Sequence, residues 1–137
     1  VDKLNTIFTN GGNAKLIAHL GQIYHFQVSN TVKLDLNGYS LKHSDTGIYN
    51  SNYNVITVTS TGNLTILDNS DSKNGEISGG KNNQYGIAGG IDNQGTLTIQ
   101  GGKITNNNGY SSGGGVYNRG TMTISGGSVS GNSDYGI

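Results

Sequence analysis

The sequence predicts an all-β protein: a right-handed, single-stranded parallel β-helix, three-sided, with about four to five rungs and a short N-terminal capping helix. Three observations predict it. Tyr85-Gly-Ile-Ala-Gly-Gly-Ile-Asp-Asn-Gln-Gly-Thr-Leu-Thr-Ile-Gln100 is echoed 25 positions later by Tyr110-Ser-Ser-Gly-Gly-Gly-Val-Tyr-Asn-Arg-Gly-Thr-Met-Thr-Ile-Ser125, and Tyr135-Gly-Ile137 starts a third copy. Apolar residues within each copy alternate with polar ones, the period of a strand with one buried face. The chain has 24 glycines and no proline, which suits sharp corners between short strands.

The chain reads as one domain over residues 1–137. Residues 1–12 predict the capping helix: Leu4, Ile7 and Phe8 share one helical face, Asp2 is the expected N-cap, and Gly11 or Gly12 the stop. Such a cap would cover the open first coil. Residues 13–74 read as diverged rungs and residues 75–137 as regular repeats. The reading expects further repeats to follow residue 137.

Three inward columns are expected. The first aligns Leu34, Leu64, Leu97 and Met122, each with its partner two residues on (Leu36, Ile66, Ile99 and Ile124). The second aligns Leu41, Ile77, Ile104 and Val129. The third aligns Val28, Val58, Ile91 and Val116. Lys33/Asp35, Asn63/Thr65, Thr96/Thr98 and Thr121/Thr123 then face outward. With parallel strands about 4.8 Å apart, the coil would be a rod roughly 20–25 Å long. Two polar columns are expected to bond along the axis and to satisfy turn amides: Asn30, Ser60, Asn93 and Asn118, and Ser44, Asn107 and Asn132. Gly89-Gly90, Gly101-Gly102, Gly113-Gly114-Gly115 and Gly126-Gly127 are assigned to corners that need positive φ.

Eight basic and eight acidic residues leave no net charge, so nothing favours nucleic acid. No apolar run is long enough to span a membrane. Without cysteine, neither a disulfide framework nor a thiolate metal site is available.

Gly89-Gly90-Ile91, Gly114-Gly115-Val116, Ile104-Thr-Asn-Asn107 and Val129-Ser-Gly-Asn132 carry a resemblance to the β-helical repeats of bacterial and archaeal adhesin-like surface proteins. They are also similar to the repeats of chlamydial polymorphic outer-membrane proteins, with aliphatics where that family has phenylalanine. Leu34-Asp-Leu-Asn-Gly-Tyr-Ser-Leu41 resembles the opening rungs of repeat-rich Gram-positive surface proteins. The resemblance implies an extracellular or cell-surface setting and a structural or adhesive role. It transfers no catalytic residue.

Parallel β-helices also carry polysaccharide-degrading enzymes, whose chemistry needs clustered carboxylates. Asp35 and Asp92 fall on different sides of the coil, and no aligned positions repeat a carboxylate, so no enzyme is expected. Asp68-Asn-Ser-Asp-Ser-Lys-Asn-Gly-Glu76 reads as a solvated loop rather than a calcium site. His19, His25 and His43 read as dispersed surface histidines, and no metal or other cofactor is expected.

Two surfaces could bind. Tyr85, Tyr110 and Tyr135 should share a corner, with Tyr117 a further outward aromatic; tyrosines there either stack on sugars or pack on one another. The Thr-x-Thr pairs at 96/98 and 121/123 form a short array of the kind ice-binding proteins carry. The expected function is a non-enzymatic structural or adhesive module, with a glycan-binding module as the alternative. The expected partners are a second copy, joined head-to-tail, or a glycan or protein of a host or the environment.

Overall fold

The structure, a computed structural model, describes residues 1–22, 25–43 and 53–134. Helix α1 (Asp2–Asn10) opens the chain. Its N-cap is Val1, so Asp2 belongs to the first turn and is not the cap; no side chain caps the helix. An acidic residue there still complements the positive end of the helix dipole. Gly11 ends the helix at φ 89°, and its amide donates to Ile7 O at 2.8 Å. Leu4 and Phe8 are buried and Ile7 half-buried. The Phe8 ring meets Phe26 edge-on at 5.4 Å, which seats the helix on the core.

The chain then passes repeatedly through the same three sheets. Its first pass supplies β1 (Gly12–Lys15) and β2 (Leu20–Gln22). The second supplies β3 (Phe26–Val28), β4 (Thr31–Asp35) and β5 (Ser40–His43). The third supplies β6 (Ile56–Val58), β7 (Asn63–Leu67) and β8 (Glu76–Ser78). The fourth supplies β9 (Ile91–Asn93), β10 (Thr96–Ile99), β11 (Lys103–Ile104) and β12 (Asn108–Gly109). The fifth supplies β13 (Val116–Asn118), β14 (Thr121–Ile124), β15 (Ser128–Val129) and β16 (Ser133–Asp134).

Sheet I runs β1-β4-β7-β10-β14, sheet II β2-β5-β8-β11-β15 and sheet III β3-β6-β9-β13, while β12 pairs with β16. These strand pairs are all parallel; one isolated antiparallel bridge joins Tyr53 to Lys81. The protein is therefore mostly β, with parallel sheets and one short helix, as a β-solenoid requires.

Sheet II keeps the expected column: Leu20, Leu41, Ile77, Ile104 and Val129 lie in line. Sheet I keeps Leu64, Leu97 and Met122 in line, but Val32 joins them; Leu34 pairs with Ile66. Sheet III makes the same two-residue correction. Ile56 stands under Ile91 and Val116, while Val28 and Val58 stand under Asn93 and Asn118. A slip of two residues keeps every side chain on its face, so alternation alone does not choose between the registers.

The expected Asn30–Ser60–Asn93–Asn118 column is shortened accordingly. Asn30 and Ser60 are exposed. Asn30 Oδ1 instead accepts from Thr31 N at 2.9 Å, at the entry to sheet I. Asn93, fully buried, donates to Asn118 Oδ1 at 2.6 Å and to Thr121 O at 2.9 Å. The other column is real over Asn107 and Asn132; Ser44 lies outside the described residues. Asn107 Oδ1 accepts from Gly80 N at 2.9 Å, and its Nδ2 reaches Ile77 O and Thr105 O, each at 3.0 Å, and Asn132 Oδ1 at 3.1 Å. These amides stand in for backbone partners at corners where the ladder breaks.

Several corner glycines serve close approach instead of positive φ. A Cβ on Gly89 would lie 2.4 Å from Asn108 O, and one on Gly114 would lie 2.1 Å from Ser133 O, although neither residue has positive φ. Among the expected corner glycines, positive φ occurs at Gly102, Gly113 and Gly127.

Candidate binding surface

Two corner tyrosines come together as the repeat implies. Tyr85 is 76% exposed and Tyr110 half-buried. Their rings are edge-to-face with centroids 5.0 Å apart, so they pack on each other and still leave Tyr85 open to solvent. Tyr135 lies outside the described residues. The two corner loops are tied by Gly86 N donating to Ser112 Oγ at 2.9 Å, and Ser111 N donates to Asp134 Oδ1. Hydrogen bonding to the Tyr85 side chain, followed by repulsion from it, pushes the Tyr110 phenol above its usual value.

Tyr117 continues an outward column of sheet III above Thr57 and Asp92. The Arg119 guanidinium lies over its ring, 5.4 Å from the centroid. Arg119 Nη2 also donates to Asp92 Oδ2 at 2.6 Å, and Gln94 Nε2 donates to the same oxygen at 2.9 Å. Sequence reasoning took these residues one at a time and missed the cluster. The signal was present: Tyr117 matches Asp92 and Arg119 matches Gln94 across the repeat, which makes Asp92 and Arg119 diagonal neighbours on adjacent strands.

Other expectations change. Asp35 keeps its outward position on sheet I but is largely covered: it is 9% exposed, its Oδ1 accepts from Asn37 N at 2.9 Å and Asn69 N at 3.1 Å, and its Oδ2 accepts from Asn69 Nδ2 at 3.2 Å. The 68–76 loop is exposed from Asp71 to Asn74, but its first residue is buried. Asp68 Oδ1 accepts from Gly38 N, Ser70 N and Ser70 Oγ, and its Oδ2 accepts from Gly75 N. Burial raises the pKa of this carboxyl, but the Ser70 hydroxyl and the amides of Gly75, Ser70 and Gly38 outweigh it and hold the group below its usual value. Its oxygens are occupied by the chain itself. His43, read as a surface histidine, is 2% exposed because it shares the inward face of β5 with Leu41; its ring lies 6.2 Å from that of Tyr53.

The corrected register also lengthens the threonine array. Thr31, Asn63, Thr96 and Thr121 form one outward column of sheet I, and Lys33, Thr65, Thr98 and Thr123 the next. Near its other end, Asn13, Lys15, Lys33, Asp35 and Asn69 line an open groove of about 250 Å³ over Ala14 and Leu67.

Among the described residues, no group of three or more histidine, cysteine or acidic side chains is arranged to hold a metal, and no helix is long and apolar enough to cross a membrane. No protein-family model, curated protein or solved structure matches the chain.

Proposed function

We propose that the repeated passes wind into a right-handed, three-sided parallel β-helix that serves as a non-enzymatic structural or adhesive module of an extracellular, cell-surface or fibre-forming protein. Parallel crossovers of this kind are almost always right-handed. The observation that carries the reading is the register. Successive passes stack their outward residues in columns on a hydrogen-bonded frame, which suits a stiff spacer or a surface that presents aromatic and polar groups at fixed intervals. The buried carboxylates support a non-catalytic role, since Asp35 and Asp68 are spent on the chain's own amides.

Its target is a glycan, met first at the Tyr85–Tyr110 corner. Exposed aromatic rings offer an apolar face to sugars at little conformational cost. A glycan array tests it: wild type should bind a defined subset of sugars, and Tyr110→Ala should weaken that binding about three- to tenfold. Binding unchanged by the substitution would return the tyrosines to a packing role.

A further inference from the structure

The outward face of sheet III holds one charged group whose bonding is incomplete. Asp92 is 2% exposed, although its position in β9 faces away from the core. Its Oδ2 takes two hydrogen bonds, from Arg119 and Gln94. Its Oδ1 is buried and has no hydrogen-bond partner among the described residues. Leaving a buried, charged acceptor unpaired is costly, and an ion pair serving stability alone could be replaced by apolar side chains. The neighbouring Arg119 side chain is 44% exposed and commits one of its five N–H donors to Asp92, at Oδ2, so its tip is free to move.

We propose that Asp92, Arg119, Gln94 and Tyr117 form a subsite for a neutral sugar that presents two adjacent hydroxyls. The tip of Arg119 tilts aside on binding. One hydroxyl donates to Asp92 Oδ1, and its neighbour accepts from the remaining guanidinium donors. The apolar side of the sugar ring takes the place of Arg119 against Tyr117. The charges select for neutrality. Asp92 and Arg119 cancel, an acidic sugar would meet the Asp92 carboxylate, and a cationic ligand would meet the guanidinium. The subsite rests on the glycan reading above and extends it from the tyrosine corner to sheet III.

The test is calorimetric titration of methyl hexopyranosides, and of their deoxy counterparts lacking one hydroxyl of the pair, into wild type, Asp92→Asn and Arg119→Ala. Wild type should bind the diol glycosides, and each substitution or deoxygenation should weaken binding at least about tenfold. Thr65→Ala, on sheet I, should bind as wild type does. Should Asp92→Asn fail to fold, the half-exposed Arg119→Ala decides alone. Glycosides bound equally by wild type and Arg119→Ala overturn the subsite and leave the tyrosine corner standing. A wild type that binds glycans on an array but no simple diol glycoside does the same. A wild type that binds no glycan at all removes the glycan reading, and the subsite with it.

Discussion

Replacing Leu97 by alanine should destabilise the protein by about 3–4 kcal/mol, whereas Thr98→Ala, the next residue of the same strand, should cost under about 1 kcal/mol. Leu97 points inward on sheet I and is fully buried, in register between Leu64 and Met122, so its removal loses transfer energy and leaves a cavity that stacked strands cannot easily close. Thr98 points outward and is half-buried, in register between Thr65 and Thr123. Urea denaturation checks the pair: the midpoint should fall sharply for Leu97→Ala and little for Thr98→Ala, with unchanged slopes. Equal losses at both positions would contradict the inward placement of Leu97.

Asp68→Ala should cost about 3 kcal/mol, although it lies in a loop. The carboxylate collects three backbone amides and a hydroxyl, at distances from 2.6 to 3.2 Å. It thereby ties the turn after β4, at Gly38, to the insertion after β7. Alanine would leave those amides without their acceptor in a buried corner. Gly75 has to be glycine for the same reason, since a Cβ there would lie 2.8 Å from Asp68 Oδ2 and 2.6 Å from Leu36 Cβ.

The effect has a definite pH dependence. The folded carboxyl titrates below its unfolded counterpart, so the folded state favours the charged form. Its contribution is complete above the ordinary carboxylate range, about pH 4, and is lost as pH falls through the lowered folded value. Urea melts of wild type and Asp68→Asn between pH 7 and pH 2.5 should converge as the acid limit is approached. A gap that stays constant across that interval would show that the charge of Asp68 contributes nothing.

Much of the parallel strand pairing was legible in the sequence. The Tyr85–Gln100 and Tyr110–Ser125 copies carry their own register, because identical spacing of Thr96/Leu97 and Thr121/Met122 allows one alignment, which the pairing reproduces. The helix end at Gly11 and the inward facing of Leu41, Ile77 and Ile104 followed from local rules of the same kind. The older passes were harder. In Val32-Lys-Leu-Asp-Leu36 three inward residues compete for two places in the column, and any of them satisfies alternation.

Sequence by itself determined which apolar strand residues turn inward and how the last two passes align, because a two-residue period and a 25-residue repeat are local properties of the chain. Tertiary structure decided the rest. It chose Val32 as the partner of Leu64, buried Asp35, Asp68 and Asp92, and joined Arg119 to Asp92. Those outcomes depend on which atoms of another pass lie within hydrogen-bond reach, and residues 27 to 34 positions apart meet only once successive passes have paired.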